Sequence, residues 1–290
     1  MARTLRPTLR TAFAAVALTV AVPAAASLAG AQDASGWDAQ PHTAARLIAG
    51  ATAKNADATF VRAGIEIKLD PGWHTYWRDP GDTGVPPTFD FSGSDNVKTA
   101  TVMWPAPQQF PDGAGGQSIG YVDHVILPLR VAPEDTAKQS TLHIKLGYAI
   151  CGELCIPVEA KLQLALNGDG AENAAIEKAE IRVPRRVPLG PTAGPKGLAI
   201  LAVHRQPSQP HDRVVVVVAA PAGAAVNLFV EGPTPDWSLP QPQSTGGNGA
   251  IRQFAFDLDG LPPDTKAAGA ALTFTAVSPT DAIEVEAHLD

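Results

Sequence analysis

"GYAICGELCIPVEAKLQL", residues 147–164, holds both cysteines of the 290-residue chain. The residues just upstream, Leu142-His143-Ile144-Lys145-Leu146, alternate apolar and polar side chains, and Ala160-Lys161-Leu162-Gln163-Leu164 does the same. A period of two marks half-buried strands. Only Gly152-Glu153-Leu154 separates Cys151 from Cys155, so the cysteines are expected at the near ends of two adjacent strands. That arrangement can bring their Cα atoms within the ~4.4–6.8 Å of a disulfide. The spacing is not Cys-x-x-Cys, and no helix is expected to follow.

Three readings of the pair remain open on spacing alone: structural staple, redox centre, metal clip. Closing a loop of ~5 residues stabilises by only about 2 kcal/mol in the loop-entropy picture, against more than ~4 for ~100 residues. A turn-borne disulfide is also easier to reduce, which tilts the balance modestly toward exchange. Two thiolates could hold copper(I) or zinc with help from His or Met. His124 and His143 are the nearest histidines, and Met103 is the only methionine after the initiator. Metal is therefore the weakest reading, and no metal or other cofactor is expected.

Outward from the pair, most of the chain reads as strands. Ala45–Ala51, Val61–Leu69, Trp73–Trp77, Thr101–Trp104, Tyr121–Val131, Leu142–Ile150 and Ile156–Leu166 are expected strands, with shorter ones at Phe89, Phe91 and Val97. Arg78–Pro87 ("RDPGDTGVPP") and the glycine-rich Pro105–Gly120 are expected loops. Ala171–Ile181 reads as an amphipathic helix, and Val183–Gly197 as a Pro/Gly-rich connector. Beyond it, Leu198–His204, Arg213–Ala219, Val226–Glu231, Ile251–Leu258, Ala271–Ala276 and Ile283–His288 are strands again. Short strands at regular spacing predict an all-β fold built of sandwiches.

The first residues read as an export signal. Arg3, Arg6 and Arg10 precede an apolar run, Thr11–Ala26, and Ala29-Gly30-Ala31 fits a cleavage site before Gln32. The run is too short and alanine-rich for a membrane anchor, and no later stretch is long enough to span. A soluble exported protein is expected, about 260 residues long after cleavage, with a prior of two domains. The formal net charge is −7, which argues against nucleic acid as a partner. Export also permits a disulfide to persist.

Other motifs carry less. Gly116-Gln117-Ser118-Ile119-Gly120 matches the G-x-S-x-G nucleophile elbow, but that elbow needs a strand before it and a helix after it. Asn167-Gly168-Asp169-Gly170 and Asp257-Leu258-Asp259-Gly260 lack the later glutamate of a calcium loop and read as turns.

Four stretches in order, "DPGWHTYWRDPGDTGVPPTFDF", "VMWPAP", "IGYVDHVILPL" and "YAICGELCIPVEAKLQL", resemble the N-terminal periplasmic domain of the thiol:disulfide interchange protein DsbD, and more closely its ScsB-type relatives (suppressor of copper sensitivity). The resemblance covers about Ala44–Leu166; Gly197–Asp290 resembles the second β domain of longer ScsB-like proteins. It implies an immunoglobulin-like β-sandwich followed by a second, smaller β-sandwich. Taken with the export signal and the Pro/Gly-rich connector, it divides the chain into a signal peptide (1–31), the redox sandwich (32–168), helix and linker (169–196) and the second sandwich (197–290). It also implies that Cys151 and Cys155 cycle between dithiol and disulfide in the periplasm, taking electrons from a membrane electron-transfer protein of the DsbD type and passing them to thioredoxin-like proteins. Because the sequence carries no such membrane domain, a separate reductase is expected. In the family an aromatic cap loop shields the pair: Phe110 is the only aromatic in Gln108–Gly120, and Tyr76 is a plausible neighbour of the sulfurs. The alternative is a non-enzymatic binding or copper-tolerance module with a structural disulfide. The residues do not say which cysteine attacks.

Overall fold

The computed structural model describes residues 1, 33–54, 59–81, 84–111, 116–167, 170–191 and 197–290. The export signal lies outside them. In chain order the strands are β1 (Asp38–Gln40), β2 (Thr43–Lys54), β3 (Thr59–Leu69), β4 (His74–Gly81), β5 (Thr88–Asp90), β6 (Val97–Val102), β7 (Gln108–Pro111), β8 (Gln117–Val122), β9 (His124–Pro133), β10 (Ser140–Cys151) and β11 (Cys155–Leu166). Helix α1 (Asn173–Glu180) follows. Then come β12 (Arg185–Arg186), β13 (Ala199–Gln206), β14 (Arg213–Ala219), β15 (Asn227–Glu231), β16 (Gln243–Asn248), β17 (Ile251–Asp257), β18 (Ala271–Val277) and β19 (Ala282–His288).

These strands form four sheets. The first pair has the orders β1-β2-β3-β9-β6 and β11-β10-β4-β8-β7, with β5 joined to β10. The second pair is β12-β19-β18-β15 and β13-β14-β17-β16. The fold is all-β: an immunoglobulin-like β-sandwich followed by a smaller one. The alternation seen in sequence drives the first sandwich. Ala63, Ile65 and Ile67 of β3 meet Leu127 and Leu129 of β9 and Leu142, Ile144 and Leu146 of β10 in one buried core. Each such Ile or Leu side chain contributes about 1.5–3 kcal/mol when fully withdrawn from water. Glu66 breaks the pattern, being buried on β3 where a polar residue should face out. Arg46 (2.6 Å) and His124 (2.8 Å) bind its carboxylate, and their hydrogen bonds outweigh the cost of burial and hold its pKa low.

Three expectations need correction. Tyr121–Val131 is two strands in different sheets: Asp123, at φ 61°, carries the chain from β8, paired with β4, to β9, paired with β3. A run this rich in apolar residues conceals such a crossing, because both strands bury side chains. Pro105–Gly120 is mostly the hairpin β7–β8. Arg78–Gly81 belongs to β4, held by side-chain ion pairs that turn-forming residues do not reveal. The helix falls within its expected range and packs on β2, β3 and β9, where Arg62 reaches Glu177 (3.1 Å) and Glu180 (3.2 Å). Part of the expected connector, Arg185–Arg186, pairs in parallel with β19 of the second sandwich.

Residues 31–290 make up one compact unit. Phe229, on β15 of the second sandwich, is fully buried in the core of the first, where its ring lies 5.8 Å from that of Trp77.

Candidate functional site: the cysteine hairpin

β10 and β11 pair without interruption from Ser140↔Leu166 to Cys151↔Cys155, so the last rung of the ladder is the cysteine pair. The two are disulfide-bonded, with Cα atoms 4.1 Å apart. Gly152, Glu153 and Leu154 close the tip and are exposed, Leu154 at 73%. The two cysteines differ sharply in exposure: Cys151 is 2% exposed, whereas Cys155 is exposed. At its base the tip is fastened to β4 by the rungs Ile150↔Thr75 and Cys151↔His74, and the Thr75 hydroxyl donates to the Ala149 carbonyl (2.9 Å).

Tyr76 is the buried neighbour of the pair. Its hydroxyl oxygen is 2.7 Å from Cys151 Sγ and 3.5 Å from Cys155 Sγ. A disulfide sulfur carries no hydrogen, so the hydroxyl is the donor. Tyr76, Ala149 and Cys151 form a small apolar cluster of their own, apart from the main core. The same hydroxyl would donate to a thiolate after reduction, and a hydrogen bond to the charged form favours ionisation.

Phe110 sits one ring further out. It meets His74 edge-on at 4.5 Å, and His74 meets Tyr76 at 5.5 Å and 89°. Its ring thus meets the histidine that pairs with Cys151 across the ladder. Sequence reasoning missed His74, although its position two residues before Tyr76 on a strand places it on the same face. Burial lowers the His74 pKa, so at neutral pH it stands by the sulfurs as an uncharged ring and offers a thiolate no ionic support. On the other side, Gly152 lies against the Trp73 ring, which stacks on His42 at 4.2 Å.

The remaining motifs do not converge here. Ser118 lies inside β8, 1% exposed, between strands on either side and with no helix after it. The turn at Asp259 is closed by the Gly260 N–H donating to the aspartate side chain (2.8 Å). His124 is bound to Glu66, and His143 lies on β10 eight residues before Cys151. Among the described residues no three His, Cys, Asp or Glu side chains cluster as metal ligands, and no helix is long and apolar enough to cross a membrane.

A cystine at a hairpin tip, with one cysteine buried and the other exposed, has the geometry that thiol–disulfide exchange requires. Residues 44–167 match the family described as thiol:disulfide interchange protein DsbD, N-terminal, the family that the motifs of this segment resemble. The crystal structure of the N-terminal periplasmic domain of ScsB from Proteus mirabilis is similar over 89% of this chain and 98% of its own, at 24% identity and a TM-score of 0.68. That likeness extends the shared fold across both sandwiches. No curated protein matches the chain.

Proposed function

We propose that the chain is a periplasmic thiol:disulfide interchange component in which Cys155 exchanges with partner proteins and Cys151 resolves. The unequal exposure of the two cysteines carries this reading. In the reduced form, the Cys155 thiolate attacks one sulfur of a partner disulfide. The partner's S–S bond breaks, and its departing sulfur takes up a proton. Cys151, deprotonated under the Tyr76 hydroxyl, then attacks Cys155 Sγ, breaks the mixed disulfide and releases the second partner thiol. Two electrons and two protons pass to the partner, and the Cys151–Cys155 bond forms. A membrane reductase of the DsbD type restores the dithiol by the reverse sequence. The electron acceptors are thioredoxin-like proteins of the periplasm. In this scheme residues 32–168 carry the chemistry, 169–196 join the halves, and 197–290 support the site.

Substitution tests the assignment. The reduced Cys151→Ser chain, mixed with an oxidised thioredoxin-like protein, accumulates a mixed disulfide through Cys155, resolved on a non-reducing gel. Cys155→Ser accumulates at least tenfold less. A wild-type disulfide that yields to dithiothreitol only when the chain unfolds would return the pair to a purely structural role.

A further inference from the structure

The segment after Tyr76 is not held by its own sheet. β4 and β8 pair at His74↔Val122, Thr75↔Tyr121 and Tyr76↔Gly120, then lose register until Gly81↔Ser118. Trp77, Arg78, Asp79 and Pro80 bulge out of the ladder between those rungs.

Trp77 is anchored in the first core, and the rest of the bulge is held by the second sandwich. Trp77 packs on Phe229. Arg78 donates to both carboxylate oxygens of Glu231 on β15, Nε to Oε1 (2.8 Å) and Nη2 to Oε2 (2.7 Å), and Nη2 also reaches Glu284 Oε2 on β19 (2.5 Å). Glu284 is held in turn by Arg186 of β12 (2.8 Å). The Asp79 carboxylate is hydrogen-bonded by Gln241, whose side chain is fixed on the Val230 backbone. Such a two-pronged guanidinium–carboxylate contact fixes direction as well as distance.

The bulge in turn leads into the cover over Tyr76. A Cβ built at Gly84 would lie 2.3 Å from Pro80 Cβ and 2.6 Å from Tyr76 Cδ1. The backbone at Gly84 is therefore pressed on the tyrosine ring with no room for a side chain, and the Pro80 it also touches is the last residue of the bulge. Four consecutive residues connect the tyrosine whose hydroxyl touches both sulfurs to two strands of the other sandwich, β15 and β19.

We infer that the second sandwich positions the Tyr76 hydroxyl on the Cys151–Cys155 pair by clamping the bulge through Arg78, which makes Arg78 a positioning residue for the exchange reaction. This rests on the exchange reading above, and deepens it by giving the second sandwich a part in the site. Were the Arg78 cluster only an adhesive between two sandwiches, its loss would lower stability and leave the sulfurs' chemistry alone.

A double-substitution cycle on the complete mature chain separates the two. The readout is the equilibrium constant of the Cys151–Cys155 bond against dithiothreitol at pH 8, measured alongside the melting temperature. Tyr76→Phe shifts the equilibrium about tenfold toward the disulfide, because a hydrogen bond to a charged sulfur is lost. Arg78→Gln shifts it several-fold in the same direction in the wild-type background and adds nothing in the Tyr76→Phe background. Glu231→Gln, which keeps the arginine and most of the packing, shows the same pattern at smaller amplitude and serves if Arg78→Gln does not fold. A lowered melting temperature with an unmoved equilibrium, or shifts that simply add in the doubly substituted chain, would overturn the inference. The equilibrium with dithiothreitol exists for any reachable disulfide, so the cycle can succeed while the trapping experiment of the exchange reading fails, and the reverse.

Discussion

Asp79 carries a costly charge. Burial, reinforced by the nearby Glu231 carboxylate, raises its pKa to about 6, against the pull of Arg78, the Gly81 N–H and Gln241. A carboxyl with a higher pKa in the folded state binds its proton more tightly there. Its contribution to stability is complete below the unfolded pKa near 3.8 and is lost as pH rises through about 6. The amount at stake is of order 1–3 kcal/mol. Asp79→Asn should therefore raise the melting temperature at pH 7.5 and have little effect at pH 4, with thermal melts at the two values as the check. An equal effect at both pH values would count against a charged, buried Asp79. No sequence signal marks this residue: "RDPGD" looks like turn chemistry, and the ion pairs that keep Arg78–Gly81 in a strand come from residues more than 150 positions away. The cysteines, by contrast, were legible. Two alternating runs flanking a three-residue gap suffice to place them on opposing strand ends, and the short loop argues for a reducible bond. Their unequal exposure was not legible, because it depends on which side Tyr76 and β4 approach.

Among the elements, the β7–β8 hairpin shows where sequence patterns lose resolution. It reads as a loop because it is rich in glycine and short in apolar alternation, yet it lines the sheet edge beside the site and delivers Phe110 to His74. Phe110→Ala removes the ring that helps exclude water from the imidazole. The His74 pKa, lowered by burial, should then move up toward 6.5, read from its ring-proton shifts in an NMR titration. No movement would show that other groups dry the imidazole. β8 also illustrates the crossing at Asp123: one residue with positive φ moves the chain between sheets, and hydrophobicity alone cannot register it. β16 was invisible for the opposite reason, since all six of its residues are exposed and it has no buried face to print a period.

At the scale of the molecule, composition and strand spacing gave an all-β chain of two sandwiches, and that much is what the fold shows. Less evident was that the halves share a side chain. Phe229 belongs by sequence to β15 and by packing to the first core. Phe229→Ala should cost about 3–5 kcal/mol and destabilise the cysteine-bearing sandwich as well as its own, seen as a joint downward shift of a single unfolding transition in calorimetry. Two separate transitions, with only the later half moved, would mean that the sandwiches melt independently. "NLFVE" alternates no differently from its neighbours, so nothing local distinguishes a ring that leaves its own half.

If the chain relays electrons as proposed, then with Cys151 buried and Cys155 exposed the protein that loads electrons and the one that collects them would come to the same doorway. They cannot be served together. Turnover would then follow a ping-pong rhythm, with parallel double-reciprocal lines and each party inhibiting the other at excess, so that the relative abundance of suppliers and customers sets the throughput.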